Sequence, residues 1–340
     1  MRSAHTISVA EAPVRPAWTS RVSNLNALWI TVALLIEIAV FSIWLPAGTF
    51  LSFFNLQTIA GDAAIILIVA TAATVVILTG GIDLSLGSTL TLSAVCAARV
   101  ISIVSPNSES LAALAGVATA IIVGIGVGIF NGYLVAYRKI PPFVVTLGSL
   151  SIGLGLARLA SDGVGVSGAP EGLRILGQGT VAGVPMPFLV ALGIVFIFAV
   201  LLEQTRFGER VYFMGSSAEA ATRGGINVPS YTMWIYILAA CLAGLAGVID
   251  FARFEVASVS TGHTTELIAA IAAVVIGGGS LFGGIGSVRA TAVGVFIPVV
   301  LANGLLIAGI ERFWQDVITG FILVIAVAFD QWRRKTEALR

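Results

Sequence analysis

Paired glycines, a carboxylate and two hydroxyls stand together in Gly80-Gly81-Ile82-Asp83-Leu84-Ser85-Leu86-Gly87-Ser88, between two long apolar runs. A backbone break and an ionisable group at membrane depth are costly, and proteins keep them beside a transport pathway or an internal joint. Asp83 reads in two overlapping ways. It can cap the helix that begins at Ser85, with Gly80 and Gly81 permitting the turn, or it can sit at the pathway or a moving joint. A charge at the bilayer centre costs about 2.5–3.5 kcal/mol on insertion scales, which favours a place near the inner interface or in a polar cavity. Asn131, Thr146, Asn303 and Gln315 are further polar candidates for a pathway or hinge. Their spacing does not by itself put them on a common wall.

Other chemistries lack their residues. The only lysines are Lys139 and Lys335, and neither ends a phosphate-cradling Gly-x-x-x-x-Gly-Lys-Ser/Thr loop. His5 and His263 are too few for a metal cluster, and no Gly-x-Ser-x-Gly nucleophile elbow occurs. Neither an enzyme nor a bound cofactor is expected. The net charge of +1 says nothing of nucleic acid, and none is expected as a partner. Cys96 and Cys241 lie in apolar runs and read as buried, reduced thiols.

The elements that must position these residues are membrane helices. Hydrophobic residues make up 58% of the chain and charged ones 10%, against roughly 45–50% and 25% in soluble domains. The mean hydropathy is +1.03. The sequence predicts an all-α polytopic membrane protein with a tail over 1–25, a transmembrane domain over 26–335 and a short tail over 336–340. Apolar runs of about 17–25 residues give roughly ten spans. They start near Leu28, Asp62, Ser85, Leu111, Phe143, Pro187, Tyr231, Glu266, Ala290 and Asp316. Glycine-rich breaks, Gly80–Ser88 and Gly277–Ser287, separate the second span from the third and the eighth from the ninth. With the amino terminus inside, only Arg99, Arg158, Arg174, Arg253 and Arg312 fall outside, and the other basic residues face the cytoplasm. Both termini are then cytoplasmic. An outer loop runs from Ser161 to Met186. A cytoplasmic loop, Thr205 to Ser230, has a helix-compatible centre at Ser216–Arg223.

Several charges read as structural. Glu37, in the first span, is expected to pair on a neighbouring helix or to be protonated. Arg99 and Arg158 are expected to snorkel. Asp250, Arg253 and Glu255 look like a solvated outer rim. Gly124, Gly126 and Gly128 suit close helix packing. Asn131-Gly132 and Asn303-Gly304 form a faint internal echo, on opposite sides of the membrane.

Four ordered segments carry a family resemblance: Val76–Ser88, Phe130–Leu150, Glu266–Ser287 and Leu301–Leu306. Together they resemble the permease subunits of ribose- and other simple-sugar-type ABC importers, over about residues 28–335. The resemblance implies a permease of about ten helices pairing with a second copy or a paralogue. Cytoplasmic ATP-binding subunits would bind ATP and Mg, a periplasmic sugar-binding protein would deliver the substrate, and lipid would surround the helices in a bacterial inner membrane. It also implies a coupling helix that docks on the ATPase, here mapping to Gly215, Glu219, Ala220, Ala221, Arg223, Gly224 and Gly225. The family usually has Gly-Gly-Asn before the acidic-Ala-Ala core, and this chain has Ser216-Ser217. An ion-coupled secondary transporter of a small polar solute is the alternative, because it too uses broken helices and midplane carboxylates such as Asp83 and Glu37.

Overall fold

The computed structural model describes residues 17–105, 108–259, 263–311, 313–315, 317–322, 324–325 and 327–328, with side chains from Leu28 onward. Long apolar helices follow one another: α1 (Ala17–Trp44), α2 (Phe53–Ile77), α3 (Ser85–Val104), α4 (Glu109–Ala136) and α5 (Pro142–Ser161). After β1 (Val166–Ser167), α6 (Glu171–Gln178), β2 (Thr180–Val181) and β3 (Val184–Pro185) come α7 (Met186–Gln204), α8 (Arg206–Ser216) and α9 (Ala218–Arg223). The rest is α10 (Val228–Phe254), β4 (Val256–Ala257), α11 (Thr264–Ile276) and α12 (Val288–Ile307).

Local chemistry sets several starts. Ser52 and Ser108 cap α2 and α4 by accepting from the amides of Asn55 and Leu111. Pro142 opens α5 at a position where its missing N–H costs nothing. Seven helices, α2, α3, α4, α5, α7, α10 and α12, are long and apolar enough to cross a membrane, and Leu28–Trp44 and α11 are shorter apolar helices. The span expected from Asp316 starts on a residue outside the described set, although residues 317–322 are helical. The tail expected over 1–25 lies outside it as far as residue 16, and α1 already begins at Ala17.

Burial orders the bundle. In the most apolar stretch of α2, 83% of residues are buried, and 78% in α10, against 22% in α4 and 28% in α5. So α2 and α10 are central, and α4 and α5 turn apolar faces outward. α4 and α10 approach so closely that a Cβ on Gly124 would lie 2.5 Å from the Ala240 carbonyl oxygen. One on Gly128 would lie 2.5 Å from Ile237 Cα. Gly126 has open space instead, so two of the three glycines expected to pack do so.

Three expectations are corrected. The second span starts at Phe53 rather than Asp62, because Asp62 is carried inside the helix by a 2.6 Å ion pair with Arg253. The 205–230 loop is mostly helical, forming α8 and α9. In the 161–186 loop, α6 sits between short strands, with β1 pairing antiparallel to β4 (Val166↔Ala257) and β2 to β3 (Val181↔Val184).

The packing gives a paired test. Gly128→Val should destabilise the protein by about 1–3 kcal/mol through overpacking, read as a lower Tm in detergent, while Gly126→Ala should leave Tm nearly unchanged.

Candidate functional site

The two glycine-rich breaks meet each other and the α8–α9 elbow at one end of the bundle. The Gly284 amide donates to the Leu78 carbonyl at 2.9 Å. Gly283, at φ 89°, is pressed so closely that a Cβ would lie 2.8 Å from both the Gly215 oxygen and the Gly80 nitrogen. A Cβ on Gly215 would lie 1.8 Å from the Leu78 carbonyl oxygen, inside any permitted contact. Tyr212 of α8 donates its hydroxyl to the Gly286 carbonyl at 2.8 Å. Glu203 ties the same region together by accepting from Ser287 and pairing with Arg289 at 3.0 Å.

From this junction α9 projects. Ser217 caps it by accepting from the Ala220 amide at 3.2 Å. Ala221 is buried, whereas Glu219, Ala220, Arg223, Gly224 and Gly225 are exposed, and Arg223 lies 3.8 Å from Glu219. Gly215, grouped with them in the sequence reading, lies at the end of α8 as a wedge of the junction. The helix starts at Ala218, two residues after the expected Ser216, because Ser217 is extended.

Beside the junction, four of the expected pathway or hinge residues, Asp83, Ser85, Asn131 and Thr146, are gathered in one buried polar region. Asp83 Oδ1 accepts from the Ser85 amide at 2.8 Å and the Ser85 hydroxyl at 2.5 Å, so the carboxylate caps the start of α3 from within the turn. Asn131 of α4 donates to the Ser85 hydroxyl at 2.8 Å, and the Ser149 hydroxyl of α5 donates to Asn131 Oδ1. The Thr146 hydroxyl shares its one hydrogen between the Pro142 carbonyl of its own helix at 2.9 Å and the Ile82 carbonyl at 3.1 Å. These groups are buried within the protein, and they lock α3, α4 and α5 to the first break. Gly81 lies under Tyr236 of α10, whose hydroxyl would be 3.0 Å from an added Cβ.

Asn303 and Gln315 belong to the opposite end. There a cleft of about 250 Å³ opens between α2, α10, α11, α12 and the helical residues beyond, with Asp62, Asp250, Arg253, Glu266, Asn303 and Gln315 on its wall. Asn303 and Asn55 exchange two amide hydrogen bonds of 2.9 Å. The paired Asn-Gly echoes thus stand at opposite ends of the bundle, as the sequence suggested. Asp250 and Arg253 are not a solvated rim. Asp250 is buried 3.0 Å from His263 Nε2, and Arg253 is paired with Asp62. Nor does Arg99 snorkel alone: it pairs with Asp162 and donates to the Ala160 carbonyl at 2.7 Å.

Sequence reasoning missed the roles of Asp62, Asp250 and His263. A signal existed: Asp62 and Arg253 are opposite charges, each inside an apolar run. Both cysteines are free but only partly buried. One carboxylate oxygen of Glu37 is buried without a hydrogen-bond partner among the described residues, and Glu37 forms no described pair.

His263 links α3, α10 and α11, with Nδ1 3.0 Å from the Thr91 hydroxyl, which itself donates to the Gly87 carbonyl. Burial disfavours its imidazolium, but the hydrogen bond and charge of Asp250 and the charge of Glu266 outweigh that, raising the pKa above the ordinary 6.5.

These features define a multi-pass helical membrane protein, with a glycine junction at one end and a charge-lined cleft at the other. Residues 55–327 match the family described as branched-chain amino acid transport system / permease component, and the chain belongs to that family. It is 38% identical to a ribose import permease of Bacillus subtilis, covering 88% of this chain and 91% of the relative. A galactose/methyl galactoside import permease of Escherichia coli K12 is 33% identical over 88% of this chain and 93% of its own length. A fructose import permease of Rhizobium meliloti is 35% identical, with coverage of 90% and 86%.

Two tests follow from the geometry. Gly215→Ala should cost at least about 1–3 kcal/mol and lower Tm, whereas Ser216→Ala, on the exposed side, should not. Because the folded pKa of His263 is raised, its stabilising charge is present below pH 6.5 and is lost as pH rises through the raised value. Tm should therefore fall more for the natural protein than for His263→Gln between about pH 6 and about pH 9. Parallel curves would mean that the imidazole stays neutral.

Proposed function

We propose that this chain is the membrane-spanning subunit of an ATP-driven importer of a monosaccharide, working in a bacterial inner membrane. It pairs with a second permease copy or a paralogue and takes sugar from a periplasmic binding protein. ATP and Mg are bound by separate cytoplasmic subunits, and this chain itself carries no cofactor. The ten-span reading adds Leu28–Trp44, α11 and a last span from about Asp316 to the seven long helices, with both termini cytoplasmic.

The observation that carries the reading is the junction of Gly80, Gly215 and Gly283. It joins an exposed short helix, α9, to both broken elements at once. A push on α9 by an ATPase therefore moves the end of α2 and the α11–α12 connection together. The buried Asp83–Ser85–Asn131–Ser149 network carries α3, α4 and α5 with the first break. Transport then requires that the contacts this unit makes with its surroundings differ between the two end states. Glu219, Ala220, Arg223, Gly224 and Gly225 form the docking face, and Ala221 anchors it.

Sugar is favoured over amino acid for two reasons. The relatives above are named for ribose, galactose and fructose. A free amino acid also brings a carboxylate that needs an unpaired cation, and Arg253, the arginine on the cleft wall, is already held by Asp62.

Reconstitution with its ATPase and binding protein in proteoliposomes should give sugar accumulation that stops without ATP. Accumulation by this chain alone, driven by a proton or sodium gradient, would overturn the reading in favour of secondary transport. Glu219→Arg with Arg223→Glu should weaken ATPase copurification roughly tenfold, about 1.4 kcal/mol, without loss of membrane insertion.

A further inference from the structure

The cleft opposite the glycine junction has features that packing alone does not require. It is open, about 250 Å³ in volume, and lies within a single chain. Two of its acids are already partnered: Arg253 holds Asp62 at 2.6 Å and stacks 5.0 Å above the Phe254 ring, while Asp250 holds His263 at 3.0 Å. A group so paired still has hydrogen-bonding capacity but little free charge.

The remaining capacity can be counted from side-chain chemistry. Asn303 spends one N–H and one lone pair on Asn55, leaving one of each. Gln315 gives one N–H to the Ile310 carbonyl, leaving another and its own carbonyl oxygen. Asp250 uses Oδ2 on His263, leaving Oδ1. The Thr319 hydroxyl, also on the lining, can donate and accept. Ile65, Pro298 and Leu306 line the same cleft and offer it apolar surface. Spare donors and acceptors set among hydrocarbon on one lining match a ring that carries hydroxyls at its edge and C–H groups on its face.

We propose that this cleft is a recognition site for one neutral polyhydroxyl ligand of monosaccharide size, and that each permease chain carries its own. The inference rests on the sugar-import reading and places the sugar inside one protomer rather than only in a gap between two. It also sets a charge rule. An acidic sugar meets Asp62, Asp250 and Glu266 with no unpaired arginine on the wall to receive it, so it is excluded.

The test uses the assembled transporter in proteoliposomes with D-ribose, D-galactose, D-fructose and D-gluconate. Thr319→Cys is made in a Cys96→Ser, Cys241→Ser background and labelled with a charged methanethiosulfonate. The transported neutral sugar should slow labelling at least about threefold and D-gluconate should not, while Ser102→Cys, exposed at the end of α3, labels equally with or without sugar. Thr319→Val and Gln315→Leu should each raise the half-saturating sugar concentration about three- to tenfold, the scale of one lost hydrogen bond. If ATP-driven uptake persists but Thr319→Cys is unlabelled or its labelling ignores sugar, the cleft assignment fails and the importer reading stands. If no neutral sugar is taken up with ATP, the importer reading fails and the cleft assignment falls with it.

Discussion

In hydrocarbon, a broken helix has no water to bond the N–H and C=O groups it frees, so another part of the protein must do so. That constraint shapes one end of this bundle. The first break releases the carbonyls of Leu78 and Ile82, which are met by the Gly284 amide and, in a bond shared with Pro142, by the Thr146 hydroxyl. The Ser85 amide is met by Asp83. Each partner comes from a different element or from the break itself, and only glycine at positions 215 and 283 lets the backbones come near enough. The two breaks are therefore mutually dependent, although about two hundred residues separate them in the chain.

The other end solves a different problem with different residues. Charged groups at membrane depth are kept where they find partners or a polar cavity, and here they do both. Asp62 lies along a central helix and is answered by Arg253 from the other central helix, with Gly61 giving the guanidinium room at 3.0 Å from where its Cβ would stand. The buried Asp250–His263–Thr91 chain ties α10 to α3 at the edge of the same cleft. One end is stitched by backbone and the other by side-chain charge. The first suits a joint that moves as a unit, and the second a surface that meets solute.

How much of this the sequence disclosed depended on range. Asp83 and Ser85 stand two residues apart, so their capping relation was legible, as was the compact Glu219-Ala220-Ala221 core. Asn131 and Thr146 were recognisable as polar groups in apolar runs. Their gathering around the Ile82–Ser85 turn was not, because it depends on how α3, α4 and α5 cross. Asp62 was misread as a helix boundary, since a lone charge at the edge of an apolar run looks like an end until its partner, 191 residues away, is known. Asp250, Arg253 and Glu255 looked like a rim for the same reason. Periodicity locates helices well but does not say which faces meet.

The seclusion of α2 has a further consequence. Helices that touch lipid tilt or stretch when the bilayer thickens or thins, and α4 and α5, with most of their apolar stretches unburied, are placed to absorb that strain. α2 is walled off from the acyl chains by its neighbours. Both polar centres are built upon it, Asp62 toward one end and Leu78 at the other, so the distance between them is ruled by a shielded strut. A cell that remodels its lipids with temperature would deform the periphery of this protein and leave that spacing unchanged.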